Sequence, residues 1–146
     1  MMKEQLAEQL KICLSDAFTF YFKAHNYHWN VEGPDFFQYH ELFGSIYEEV
    51  LGSIDTLAEQ IRTLDIYAPG TLSRIKQLTS IIEDENIPSA LEMSRRLLNE
   101  NNKVIASLMT GYKMAEDMGE LGISNFLQDR IQAHQKHAWF LRSVGK

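Results

Sequence analysis

The sequence predicts an all-α fold, a four-helix bundle with a short extra helix on the connection between its second and third long helices. Four long stretches place apolar side chains at alternating spacings of four and three, the period of a helix that buries one face. Only 8 Gly and 3 Pro serve the 146 residues, too few for the turn-rich chain of an all-β sandwich. No strand-like alternation, low-complexity tract or internal repeat competes with the helical pattern. A chain of this length is expected to form one domain, 1–146.

The first helix is read from Leu6, Leu10, Cys13, Ala17, Phe20, Ala24, Tyr27 and Val31. The second is read from Phe36, His40, Phe43, Tyr47, Val50, Ile54, Leu57, Ile61 and Leu64. Seams of this kind pack helices nearly antiparallel. The break between them is Glu32-Gly33-Pro34-Asp35, where Pro34 suits the first position of a helix. The second helix is expected to end before Ala68-Pro69-Gly70, and Thr71 to cap a short helix running to about Ile82. Residues Glu83 to Asn86 then return to loop. Pro88 is expected to open the third long helix, with Leu91, Leu98, Ile105, Met109 and Tyr112 on its apolar side and a stop around Gly119 to Gly122. Ser124 is expected to cap the last helix, whose seam is Leu127, Ile131, His134, Ala138 and Leu141.

Composition removes several function classes. Apolar residues make up 45% and charged residues 23%, a globular balance that excludes disorder as the main state. No apolar run approaches the length of a membrane span, and Met1-Met2-Lys3-Glu4-Gln5 lacks the apolar core of a secretory signal. Cys13 is the single cysteine, which excludes an intrachain disulfide and a cysteine-based zinc site. The expected location is the cytoplasm. Charge is unevenly spread: residues 25–70 hold eight acids against Arg62 alone, together with three of the five histidines, within a chain of net charge −6. A binder of polyphosphate backbones usually carries a basic stripe or tail. Here only Lys3 precedes the expected first helix and only Lys146 follows Gly145, so DNA binding is not expected. The acidic, histidine-bearing middle is a place for cations.

The candidate ligands are His28, His40, Asp55 and Glu59, with His25 beside them. His28 lies six residues before Pro34 and His40 six after it, so a helical hairpin turning there puts both imidazoles at similar height. Asp55 and Glu59 are four apart and share one face of the second helix. Two imidazoles and two carboxylates suit iron. The pairs cannot meet within one chain, because fifteen residues of helix separate His40 from Asp55, roughly 22 Å at the standard rise. No Glu-x-x-His motif, through which single-chain di-iron bundles gather their metals, occurs. If the four residues form one site, two chains share it across a two-fold contact with antiparallel second helices. Gly44 and Gly52 lie on the flank of that helix, where close backbone approach is a reason to keep them. Against this, lone helical histidines are commonly packing residues, and an Asp/Glu pair is commonly a solvated face.

The run from His25 to Glu41, HNYHWNVEGPDFFQYHE, and its continuation to Asp55-Thr56-Leu57-Ala58-Glu59 resemble the signature of the Dps family, the ferritin-like miniferritins. Lys136-His137-Ala138-Trp139-Phe140-Leu141 resembles the last helix of that family, so the likeness covers nearly the whole chain. The resemblance implies a ferritin-like four-helix subunit in a homo-oligomer, a hollow dodecamer. It implies ferroxidase sites at two-fold interfaces with His28, His40, Asp55 and Glu59 as iron ligands, Glu59 being the candidate to bridge two irons. It implies oxidation of Fe(II) by hydrogen peroxide in preference to O2, and storage of the ferric product. In one respect the chain departs: many family members carry an aspartate four residues after the second histidine, where this sequence has Gly44. That weakens a second iron position; Glu41 and Glu48 are nearby acids without a sign that either compensates. Members of the family that bind DNA commonly do so through basic tails, and a shell that has lost its ferroxidase activity is a third reading.

Other residues carry two readings each. Trp29 is an oxidisable ring next to His28, able to supply an electron, or a packing aromatic at a subunit contact. His25 is a hydrogen-bond partner one turn before His28, or a solvent-facing residue. His134 and His137 have metal-compatible spacing, but His134 falls on an apolar seam, which favours a packed histidine. Glu116, Asp117 and Glu120 cluster where the third long helix ends. By resemblance they line a three-fold pore that admits Fe(II); otherwise they are a solvated helix end.

Overall fold

The break at residues 31–35 turns the first two helices back on each other. A computed structural model describes residues 2–146, in which α1 spans Met2–Asn30 and α2 spans Phe36–Thr63. Gly33 supplies the turn with φ +117°, a backbone conformation that side chains resist. A short helix α3, Leu72–Leu78, interrupts the long connection. The second hairpin follows as α4, Ala90–Asp117, and α5, Leu121–Val144, closed by Gly119 at φ +72°. Among the described residues there is no strand.

The whole first seam, Leu6 to Val31, is buried, as are Phe43, Val50, Leu57 and Ile61 of α2, Leu64 just past its end, and Leu127, His134, Ala138 and Leu141 of α5. Each large apolar side chain removed from water contributes about 1.5–3 kcal/mol, which is what holds the four long helices together. Lys23 on α1 meets Glu100 on α4 while Gln9 and Cys13 meet Ser107, so those helices run antiparallel. Phe20 packs edge-on to His134 and Cys13 lies near Gly111 and Leu127, so α1 and α5 run the same way.

The crossover between α2 and α4 is fastened by buried charge. Asp16, fully buried in α1, accepts hydrogen bonds from Thr79 Oγ1 and Ser80 N, both 2.8 Å, and from Ser107 Oγ at 2.6 Å. Lys23 donates to the Ile82 carbonyl and pairs with Glu100 and Asp84; Glu100 accepts from Ile82 N. Tyr27 donates to Asp84, which also holds Arg96.

These contacts correct several sequence expectations. The short helix ends at Leu78 rather than near Ile82, because Thr79 turns extended (ψ 145°) to reach Asp16. Ser89, not Pro88, opens α4, its hydroxyl accepting from Glu92 N. Ser124 lies inside α5, which Glu120 caps positionally without a side-chain bond. Pro34 stands one residue ahead of the Asp35 N-cap of α2, and Lys3 lies within α1 rather than before it. The face expected to be inward on α4 is also displaced: Leu91 and Met109 are exposed, and the buried face is Met93, Leu97, Glu100, Asn101, Val104, Leu108, Gly111 and Ala115. No described helix is long and apolar enough to cross a membrane.

Candidate metal centre

Both histidines of the hairpin point across the α1–α2 contact at the level of the turn. Their rings stack with centroids 3.8 Å apart and planes 18° from parallel. Each is anchored to the other's helix: His28 Nδ1 donates to the His40 carbonyl at 2.8 Å, and His40 Nδ1 donates to the His28 carbonyl at 2.7 Å. A carbonyl only accepts, so both Nδ1 atoms carry their protons and Nε2 of each ring holds the lone pair for a ligand. Both rings are half-buried. Phe36 stacks on the outer side of His40 at 5.0 Å.

Asp55 and Glu59 are exposed, roughly four to five turns beyond His40 along α2. Among the described residues of the single chain, no group of three or more His, Cys, Asp or Glu side chains is arranged to hold a metal ion. The two imidazoles are brought together and the two carboxylates stay apart from them, as a continuous helix between 40 and 59 requires. Glu41 and Glu48 are likewise exposed on α2.

A row of rings leads away from the pair. His25 stacks flat on Tyr47 (3.8 Å, 7°) and lies against Trp29 (3.9 Å, 36°), and its Nδ1 meets the Tyr21 hydroxyl at 3.0 Å. His25 is thus not a hydrogen-bond partner of His28, whose ring centroid is 6.2 Å away. Burial, with the nearby charge of His28 adding to it, lowers the pKa of His25. Trp29 is 57% exposed in the single subunit.

A second polar cluster joins α2, α4 and α5 on the other side of the bundle. Arg130 grips Glu49 through two hydrogen bonds of 2.6 and 3.0 Å, and His137 Nε2 meets Glu49 Oε1 at 2.8 Å. Burial would raise the carboxyl pKa of Glu49, but the hydrogen bonds from His137 and Arg130 and their charges hold it well below the carboxylate range. His134 is 1% exposed, donates from Nδ1 to Asn101 Oδ1 at 2.7 Å and turns Nε2 toward Arg130. It is a packed histidine, and burial first, then the Arg130 charge, depresses its pKa well below 6.5. Nothing in the spacing of residues 134 and 137 names Glu49, eighty-eight residues from His137, as their partner. The hidden signal was the acid at 49, facing away from the α2 seam.

Glu116, Asp117 and Glu120 flank the α4–α5 turn. Glu116 accepts from Tyr112, Asp117 closes α4, and Glu120 sits at the N-cap of α5. Glu116 and Asp117 are exposed and Glu120 half-buried.

Gly44 lies against the pair. A Cβ at residue 44 would stand 3.0 Å from both Cε1 and Nδ1 of His28. Gly52 has nothing within 4 Å of the corresponding position, so of these two glycines Gly44 is the one closely approached within the single chain.

The ferritin-like domain family matches residues 6–145. The DNA protection during starvation protein of Brevibacillus brevis is 36% identical over 124 residues, 84% of this chain and 83% of that protein. The crystal structure of a Dps protein from Bacillus brevis superposes with a TM-score of 0.94 at 30% identity, covering 99% of this chain and 97% of that one. A Vibrio cholerae Dps protein, described as a member of a broad superfamily of ferritin-like diiron-carboxylate proteins, superposes with a TM-score of 0.94 at 27% identity, over 99% and 91% of the two chains.

Proposed function

Because the chain belongs to the ferritin-like family and within it to the Dps proteins, we propose that it is a ferroxidase that takes Fe(II) as substrate, oxidises it with hydrogen peroxide or O2, and stores the ferric product inside a homo-oligomeric shell, a dodecamer by resemblance. The observation that carries this reading is the His28–His40 pair. Each ring is locked through Nδ1 by the other's backbone, leaving Nε2 to bind metal without further reorganisation. Two neutral nitrogens are a poor site for a dication by themselves. Asp55 and Glu59 bring the charge the iron requires, and a second copy brings them within reach when two α2 helices cross antiparallel about a two-fold axis. Exposure of both carboxylates in the single subunit is consistent with that arrangement.

With two Fe(II) ions held side by side, each gives one electron: two Fe(II), one hydrogen peroxide and two protons yield two Fe(III) and two waters. Both electrons reach the peroxide together and no hydroxyl radical leaves. Glu59 is the ligand assigned to bridge the irons. Carboxylates replace water around the ferric product, whose higher charge they stabilise more than that of Fe(II). The acids Glu116, Asp117 and Glu120 draw Fe(II) toward a pore. The Brevibacillus relative is named for DNA protection, and removal of Fe(II) and peroxide protects DNA without touching it. A net charge of −6 per chain, multiplied in an oligomer, opposes contact with a phosphate backbone.

Subunit mixing tests the shared site. A His28→Ala/His40→Ala variant and an Asp55→Ala/Glu59→Ala variant should each be inactive. Hybrids assembled from both should regain activity, because one site of each mixed two-fold contact holds all four ligands and its mate holds none. Hybrids that form and stay as inactive as both parents refute the intersubunit site.

A further inference from the structure

We propose that Tyr21 and His25 form a proton-coupled electron donor: Tyr21 gives the second electron to peroxide when a shared site holds a single Fe(II), and His25 Nδ1 takes the phenol proton. The inference rests on the ferroxidase reading of the His28–His40 pair. Four protein ligands are a small set for two ions, whereas two imidazoles and a carboxylate suffice for one Fe(II). A lone Fe(II) yields one electron, and peroxide cleaved by one electron releases hydroxyl radical. A site filled one ion at a time therefore needs a second donor within the protein.

The rings beside the site supply one. Tyr47 lies 5.2 Å from His28 and 6.1 Å from Tyr21, centroid to centroid, so Tyr21 is two ring contacts from the ligand. Oxidation of a phenol is held back by its proton, which the strongly acidic radical cation has to shed as the electron leaves. Tyr21 and His25 are one turn apart on α1, and their side chains meet at 3.0 Å between the hydroxyl and Nδ1. That is within reach of direct proton transfer to an imidazole, the usual shuttle among side chains. The base is also fixed in place, because His25 stacks flat on Tyr47 at 3.8 Å and lies against Trp29 on its other flank.

Neighbouring rings lack this combination. Trp29 touches His25 at 3.9 Å and can relay an electron, but its indole nitrogen is not the group held against Nδ1. Tyr27 does have an acceptor in Asp84, yet Arg96 and Lys23 pair with that carboxylate and make it a poor base. The reaction balances without a further reagent. Fe(II), hydrogen peroxide and the Tyr21–His25 pair give Fe(III), two hydroxide ions, a neutral Tyr21 radical and protonated His25. The O–O bond breaks, iron and Tyr21 each lose one electron, and the phenol proton moves to Nδ1. The next Fe(II) to enter the site reduces the radical and the proton returns to the phenol oxygen. The sum is two Fe(II) oxidised per peroxide, as for a paired site, with no hydroxyl radical released.

The test loads the assembled protein, without oxygen, with fewer Fe(II) ions than shared sites, mixes it with hydrogen peroxide and freezes it for electron paramagnetic resonance. Wild type should show a radical whose lines narrow when the protein is made with ring-deuterated tyrosine. That radical should couple to an exchangeable proton, the one transferred to His25. Tyr21→Phe should lose the signal and raise the yield of spin-trapped hydroxyl radical several-fold. His25→Phe keeps a ring against Tyr47 and Trp29 but removes the base, and should do the same. Peroxide-dependent Fe(II) oxidation without a tyrosyl signal, or with a signal that survives in either variant, overturns the proposal and leaves the ferroxidase reading standing. So does a radical indifferent to labelled tyrosine and lost in Trp29→Phe, which assigns the electron to the indole. Absence of any Fe(II) oxidation by the wild-type protein ends both readings. Should the variants not assemble, the wild-type spectrum decides: a tyrosyl radical coupled to an exchangeable proton supports the pair, and one without that coupling refutes it.

Discussion

Lowering the pH from 7.5 to 5.5 should remove about 1.4 kcal/mol of stability per subunit through His134 alone. His134 is 1% exposed and surrounded by groups from every long helix. Phe20 comes from α1, Asn101 from α4, Arg130 and His137 from α5, and Glu49 from α2 lies behind Arg130. A second proton on its ring would go to Nε2, 3.3 Å from the Arg130 guanidinium. Burial and that charge keep the folded pKa well below 6.5. The unfolded chain takes up a proton below 6.5 and the native subunit does not, so stability rises with pH here. It is fully present above about 6.5 and is lost as the pH falls. Over this interval the unfolded imidazole goes from about one-tenth to about nine-tenths protonated, and the integral is RT ln 10. Glu49 does not blur the window, since its unfolded carboxyl titrates near 4.5. Urea unfolding at both pH values and one protein concentration, for wild type and His134→Gln, measures the effect. The glutamine amide can still donate to Asn101 but has no proton to gain. The variant should lose about 1.4 kcal/mol less than wild type across the interval. Equal losses in the two proteins would refute the assignment of a buried neutral imidazole.

Other outcomes follow from the same contacts. Asp16→Ala strands Ser80 N–H, Thr79 and Ser107 hydroxyls near α1 and should cost about 2–4 kcal/mol, with hydrogen exchange accelerating at residues 79–82 ahead of the helices. Phe20→Ala removes a fully buried ring from the centre of the bundle and should cost about 3–5 kcal/mol in denaturant unfolding. Glu59→Gln alters an exposed side chain, so unfolding should shift by less than about 0.5 kcal/mol while peroxide-dependent Fe(II) oxidation collapses; unchanged oxidation would remove Glu59 from the site.

Much of the architecture was legible because helices are local objects. Every residue that the alternating spacing of residues 6–31 picks out is buried, though α1 also buries Asp16 and Lys23, which no apolar pattern names, and equal distances of His28 and His40 from Pro34 led directly to rings that stack at 3.8 Å. The α4 face was misread because polar partners occupy its buried side. Glu100 there answers Lys23 and Ile82, and Asn101 answers His134, so the true seam looked broken while a cleaner stripe ran beside it, of which Leu98 and Tyr112 pack against the core but Leu91 and Met109 are exposed. The same cause hid the end of α3, which Asp16 sets from sixty-three residues away, and the Glu49–Arg130–His137 cluster.

By itself the sequence determined the helices, the hairpin turn and the residue types offered to a metal, all of which depend on spacings within a few turns. Tertiary structure alone decided which nitrogen of each imidazole is left for a ligand, since that follows from carbonyls across the α1–α2 contact. It also placed Gly44 against the edge of the His28 ring. A linear pattern records which side chains are present, whereas hydrogen bonds and van der Waals exclusion act between atoms that only the fold brings together.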